Sequence, residues 1–224
     1  MPDSFQISQG DYQPEWKPRA ERRPFPIIVR THNGEFLGRA QLESLGIRCG
    51  GDDVRIHTSV VIVGPERLKL GNHVRVDPFS LLSASGQISL GNHIHIGSHC
   101  TLIGASAIRI EDFAGISHGV RLFSASDDFS GGCLTGPTVP DQLRNVLSAP
   151  IHLCRHAVIG SGAVVLPGVT VGEGAILGAL SLLRSDLPAW QIWSGVPAHY
   201  LRDRQKELLR LEGEINPDPL RRGP

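Results

Sequence analysis

The sequence predicts an all-β fold, a parallel β-helix of short strands wound into stacked coils. Three observations predict it. Reading from Leu68, LKLGNHVRVDPFSLLSASGQ is followed twenty residues later by ISLGNHIHIGSHCTLIGASA, and twenty after that by IRIEDFAGISHGVRLFSASD. The aliphatic positions superimpose: Leu68, Ile88 and Ile108; Leu70, Leu90 and Ile110; Val76, Ile96 and Ile116; Leu82, Leu102 and Leu122. Within each copy a step of six recurs, as in Leu70, Val76, Leu82 and Leu90, Ile96, Leu102. That step matches neither the 3.6 period of a helix nor the alternation of a long strand. Finally, the 224 residues include 26 Gly and 16 Pro with only 5% aromatics. Such a composition suits many turns around a narrow core of small aliphatic side chains.

The elements follow in chain order. Residues 1–25 are polar and Pro-rich and read as an arm. Residues 36–47 (FLGRAQLESLGI) read as a short helix over the first coil, so residues 1–47 form an arm and cap. An open solenoid end exposes strand edges and core, and a cap answers that. The column is expected over 48–186. Its first coil is a fainter copy of the repeat, with Val54 over Val74, Ile56 over Val76 and Ile62 over Leu82. A long loop, 126–149, interrupts it, and loops of that length inside a compact repeat tend to carry function. The pattern then resumes with a step of eighteen: Ile151 to Val169, Leu153 to Val171, Ile159 to Leu177, Val165 to Leu183. About six coils at roughly 4.8 Å per coil give a column on the order of 30 Å tall. Residues 187–224 read as a turn, an amphipathic helix over 202–212 (RDRQKELLRLE) and a tail.

Charge narrows the function classes. Lys plus Arg and Asp plus Glu both number 22, which argues against nucleic-acid or anionic-membrane binding by bulk charge. No apolar run is long enough to span a bilayer, and the N-terminal stretch lacks an apolar leader core. A cytoplasmic protein is expected. Cys49, Cys100, Cys133 and Cys154 show no CxxC pairing and are expected as reduced, mostly buried thiols.

The six-residue rhythm resembles the left-handed parallel β-helix acyltransferases of the hexapeptide-repeat family. The stretch 158–203, VIGSGAVVLPGVTVGEGAILGALSLLRSDLPAWQIWSGVPAHYLRD, is similar to the terminal coils of its sugar and antibiotic O-acetyltransferases, down to the GVPA turn at Gly195–Ala198. The SASDD segment and LTGPTVP (Leu134–Pro140) resemble a subgroup tied to surface polysaccharides. The resemblance implies a homotrimer with acetyl-CoA as co-substrate, lying in clefts between columns, and a sugar or nucleotide-sugar acceptor. It puts the cofactor wall on Gly160, Ser161, Gly178 and Ala179, with Arg184, His199 and Arg202 as cations for the phosphates. The tight turns require the glycines in any case.

The departure concerns the base. Related enzymes place a histidine just before the mid-chain loop to deprotonate the acceptor. Here VRLFSASDDF puts Asp127 at that position, with Asp128 next. A free carboxylate is a weak base at neutral pH unless burial or a second anion raises its pKa. The pair would otherwise bind an ammonium or sugar hydroxyls, or cap the loop through turn hydrogen bonds. His118 is the other candidate base; it shares a corner with Pro78 and Ser98, one face away from Asp127. Ser124, Ser126, Asp77 and His95 complete the expected substrate-binding set. His73 and His93 stack over Phe113 and read as structural. His93, His95 and His99 fall on different coil positions, so no metal is expected. Two other readings remain open at this level: a metal-dependent, carbonic-anhydrase-like enzyme of the same fold, and a non-catalytic scaffold.

Overall fold

The computed structural model describes residues 35–215. The N-terminal arm expected over 1–25 lies outside them. The chain is nearly all β: a left-handed parallel β-helix of about seven turns. Its walls are one nine-stranded sheet and two six-stranded sheets, and a separate two-stranded hairpin stands outside them.

Every coil visits the three walls in the same order. In the coil from 68 to 87, Leu68–Leu70 belongs to the first six-stranded sheet, Val74–Val76 to the nine-stranded sheet and Leu81–Ser83 to the other six-stranded sheet. Turns at the first, second and third corners join them. The first sheet is polar outside: Arg48, Lys69, Ser89, Arg109, His152 and Thr170 follow one another in register. The third wall is mixed outside, with Val61, Leu81, Thr101, Arg121, Val164 and Leu182 along one row and Val63, Ser83, Ile103 and Phe123 along the next.

Inside, the repeat register is the strand register. Leu70, Leu90, Ile110 and Leu153 pair coil over coil, as do Val76, Ile96, Ile116 and Ile159. The eighteen-residue series continues it through Leu153 to Val171 and Ile159 to Leu177. Ile56, Ile96, Leu102, Leu122 and Ile159 are wholly buried, each worth about 1.5–3 kcal/mol of burial. Among the described residues no buried side-chain nitrogen or oxygen lacks a hydrogen-bond partner.

Four boundaries differ from the sequence reading. The column runs beyond 186, because Gln191–Ser194 pairs in parallel with Ile176–Leu177. This extra rung makes about seven turns where six were expected. The helix expected over 202–212 begins later, at Leu208–Ile215, since His199–Asp203 forms a strand antiparallel to Gln191–Ser194. Strand pairing closes the open edge there, and it overrides the amphipathic pattern. At the other end Phe36–Leu37 pairs antiparallel with the first coil, and the helix Arg39–Ser44 buries Leu42, as a cap should. The mid-chain loop is itself structured: Ala125–Asp127 pairs with Val146–Ser148. Of the four free cysteines only Cys100 is buried, because the others sit in strand ends or in the loop.

Candidate functional site along the second corner

Half of the residues singled out from the sequence lie on or beside one edge of the column. The second corner stacks Asp77, Gly97, Ser117, Gly160 and Gly178 in one row, each amide donating to the carbonyl of the residue before the next corner. Pro78, Ser98, His118, Ser161 and Ala179 form the adjoining row, read from the bonds His99 N to Pro78 O, Gly119 N to Ser98 O, Gly162 N to His118 O and Leu180 N to Ser161 O. The edge therefore has a polar half, from Asp77 to His118, and a nearly bare half, from Gly160 to Ala179.

The bare half is bare for a steric reason. A Cβ on Gly160 would stand 2.5 Å from the Ala179 amide nitrogen, and one on Gly178 would stand 2.7 Å from Ser194 Oγ. Ser161 and Ala179 are exposed beside them. Arg184 follows the last third-wall strand, whereas His199 and Arg202 lie on the closing antiparallel strand; all three are exposed.

The polar half is organised around Asp77, which is only 7% exposed. Arg75 Nε donates to its Oδ1 at 2.7 Å, and His95 Nε2 lies 2.7 Å from its Oδ2. Burial alone would raise this carboxyl, but the bonds from His95 and Arg75 outweigh it and hold the carboxyl below the ordinary aspartate value. Phe36 lies under the Arg75 guanidinium at 5.1 Å and steadies it. His95 points outward from the nine-stranded sheet, between Arg75 on one side and Gly115 on the other. Gly115 is unusual. Its Cβ would meet only Val158, at 3.9 Å, so packing tolerates a side chain there. Glycine inside a strand costs about 0.5–1 kcal/mol relative to alanine, and such a position often marks the approach of a ligand.

His118 sits at the same corner, its ring edge-on to His95 with centroids 6.5 Å apart. Its Nδ1 accepts the Ser98 backbone N–H at 2.9 Å, with Ser98 Oγ at 3.0 Å. An amide can only donate, so Nδ1 carries the lone pair and the neutral ring keeps its proton on Nε2. The exposed His118 thus presents a donor to solvent.

The mid-chain carboxylates separate in role. Asp128 Oδ1 accepts the Ser130 N–H at 2.8 Å and Oδ2 accepts from Asn145 at 3.2 Å; these bonds, Ser130's first, lower its pKa. Of the roles weighed for the pair, turn capping describes Asp128, which holds the loop through these hydrogen bonds. Among the described residues the Asp127 carboxylate accepts only the Gly136 N–H, at 3.1 Å, and it leaves the column from the third corner, away from His118. Ser126 is half-buried in the same strand, its Oγ bonded to the Asp127 carbonyl. Ser124, expected to touch substrate, is wholly buried; its Oγ donates to Ile103 O and accepts Ser106 N–H, both at 2.9 Å. It ties two coils together and lines no groove.

Of the three histidines weighed for metal, His93 lies at the first corner, His95 on the sheet and His99 at the second corner. Among the described residues, Glu111, His152 and Cys154 gather one donor atom each within 4.8 Å. Glu111 already holds His152 Nε2 at 2.8 Å, and burial raises the Cys154 thiol, helped by Glu111 and Glu173. Ser117, not among the residues singled out from the sequence, stands in the corner row between Gly97 and Gly160.

No family model matches the chain. It is 34% identical over 186 residues to a dTDP-4-amino-4,6-dideoxy-D-glucose acyltransferase of Escherichia coli, spanning 83% of this chain and 97% of that enzyme. Among solved structures it is similar to AntD, an N-acyltransferase from Bacillus cereus in complex with dTDP and 3-hydroxybutyryl-CoA. That match has a TM-score of 0.78 and 35% identity over 81% of this chain and 96% of the other. A variant of AntD bound to dTDP-4-amino-4,6-dideoxyglucose and coenzyme A gives a TM-score of 0.79 at 34% identity, over 82% and 98%. With a third of its residues shared along nearly the whole of such an enzyme, the chain belongs to the hexapeptide-repeat sugar acyltransferases.

Proposed function

We propose that this enzyme transfers an acyl group from acyl-CoA to the amino group of a nucleotide-linked amino sugar, as a cytoplasmic homotrimer supplying surface-polysaccharide precursors. The observation that carries the reading is the extent of the likeness, which includes both the donor and the acceptor ends of enzymes working on dTDP-4-amino-4,6-dideoxyglucose. A detail supports it. AntD has been solved with substitutions at a serine and at an aspartate ten positions further on. In this chain only Ser117 and Asp127 reproduce that spacing of ten between Ser and Asp.

The chemistry suits an amine. A neutral amine attacks the thioester carbonyl, the C–N bond forms, the C–S bond breaks and the thiol of CoA leaves. Gly160, Ser161, Gly178 and Ala179 offer a side-chain-poor track for an extended pantetheine. Arg184, His199 and Arg202 are the exposed cations that would meet its phosphates, and Asp127 would accept a hydrogen bond from the acceptor's amine. The third wall supports trimer assembly: Val61 and Val63 are 57% and 49% exposed at its N-terminal end, and exposed apolar side chains grouped in this way favour an interface. Packing columns on that wall would bring Asp127 of one copy toward the second corner of the next. Among the described residues no helix is long and apolar enough to cross a membrane.

The test is thiol release from acetyl-CoA and from 3-hydroxybutyryl-CoA with dTDP-4-amino-4,6-dideoxyglucose, against the 4-hydroxy sugar as control. Turnover should require the amine. Thiol release that is equal with both sugars, or absent with every nucleotide amino sugar, sinks the reading. Asp127→Asn should lower kcat/KM for the acceptor about tenfold or more while leaving the Kd for CoA unchanged.

A further inference from the structure

We propose that His95, oriented by the buried carboxylate of Asp77, is the group that takes the proton from the acceptor's nitrogen. The inference rests on amine acylation at the second corner as read above.

The geometry decides which nitrogen is free. Asp77 is buried and held below the ordinary aspartate value, with Arg75 on Oδ1 and His95 on Oδ2. An ionised carboxylate only accepts, so the His95 proton sits on Nε2. Nδ1 keeps its lone pair, and the ring that bears it is more than half exposed. His118, 6.5 Å away, has the opposite arrangement, its Nδ1 consumed by the Ser98 amide. Between His95 and His118, only His95 offers a base.

Its surroundings leave room for a substrate. In the next coil, directly in register with His95, stands Gly115, where packing does not demand glycine. Two residues further on is Ser117. The charged and titratable groups facing His95 are Asp77 and Arg75 from the preceding coil and His118 from the following corner. Asp77 thus acts as a positioning residue that fixes the tautomer and aim of the ring, and His95 as the catalytic residue. The proton leaves the acceptor nitrogen for Nδ1 as the C–N bond forms. It then passes to the thiolate sulfur released by the breaking C–S bond, so His95 returns neutral.

The experiment compares wild type with His95→Asn, His95→Ala and Asp77→Asn, measuring kcat and KM from pH 5.5 to 9. His95→Asn should lose about a hundredfold in kcat, with KM for the nucleotide sugar and Kd for CoA within about twofold. The near-neutral inflection of the kcat profile should vanish, and added imidazole should restore part of the His95→Ala turnover. Asp77→Asn should lose about tenfold and displace the inflection. A His95→Asn enzyme that keeps wild-type kcat, or keeps the wild-type inflection, overturns the assignment. Imidazole nitrogen shifts in the folded wild-type protein give a second readout that needs no turnover and no variant. A proton on Nε2 of His95 supports the dyad, and one on Nδ1 refutes it. If wild type releases no thiol with any amino sugar, the acceptor reading fails, while the nitrogen shifts still decide the dyad.

Discussion

The first and second corners of the coil are made from the same parts and do different work. Each carries aromatic residues in the left-handed backbone region: His73, His93, Phe113 and His156 at the first, Phe79 and His99 at the second. Each borders a carboxylate–histidine pair, Glu111 with His152 near the first and Asp77 with His95 near the second. At the first corner the rings run on without a gap, at centroid spacings of 4.5, 4.6 and 5.2 Å. Beneath them Asn72, Asn92 and Asp112 each accept an amide of the coil before. That stack offsets the cost of a left-handed non-Gly residue, of order 1–3 kcal/mol each. The second corner's rings stop after His99, where Gly119 and Gly162 follow. Histidine content therefore says little about function here. What each ring nitrogen is already bonded to says more.

The largest expected effect strikes both corners at once. Ile96 lies wholly buried on the strand that joins them. Ile96→Asp places an unpaired charge in the narrow core and should cost more than about 4 kcal/mol. Loss of a cooperative thermal transition would show it.

Separating the corners takes a smaller perturbation. Phe113 is sandwiched between His93 and His156, with the Arg155 guanidinium 4.9 Å from its ring. Phe113→Ala should lower stability in urea by about 2 kcal/mol through lost ring packing, with turnover per folded molecule unchanged. A fall in turnover beyond the folded fraction would show that the stack reaches the reacting groups.

On the second corner the reverse outcome is expected. Ala179 is exposed on the bare half of the edge, so Ala179→Phe should fit the coil and obstruct the pantetheine track. Calorimetry should give about tenfold weaker CoA binding, or about 1.4 kcal/mol, with the urea midpoint unmoved. A shifted midpoint with unchanged affinity would move the donor track off this edge.

What the sequence made legible follows the same division. The inward columns were readable because a twenty-residue register is enforced by every core side chain at once; a slip would expose Leu70, Leu90 and Ile110 together. The glycines of the second corner were readable because Gly160 and Gly178 are sterically obliged. Ser124 was misjudged, since a hydroxyl beside the break in the repeat looks the same whether it faces in or out, and only the bonds to Ile103 and Ser106 decide. The free Nδ1 of His95 was not readable either, because it depends on a bond to Asp77 made across coils eighteen residues apart. The late helix start was hidden for a similar reason: nothing local in His199–Asp203 announces its antiparallel partner.

The smallest effect compares the two carboxylates in acid. Burial would raise the Glu111 carboxyl, but His152 and the Arg155 amide outweigh it, and the net shift is below the ordinary value of 4.5. Asp77 is likewise lowered from 3.8. For a depressed carboxyl, the stabilisation is fully present above the ordinary value, where both folded and unfolded chains are ionised. As pH falls through that value the unfolded chain takes the proton first, and stability is lost until the folded carboxyl titrates too. Glu111→Gln should therefore flatten the stability curve below about pH 4.5, and Asp77→Asn should flatten it in the same sense from a slightly lower pH. At neutral pH the Glu111 substitution should cost less than about 1 kcal/mol, because the pair is partly open to solvent. The two variants should then part company in catalysis: Glu111→Gln keeps the wild-type turnover and its pH profile, whereas Asp77→Asn displaces the profile. Equal catalytic losses in both would mean that the Glu111, His152 and Cys154 cluster takes part in the reaction, and that the first corner is more than scaffold.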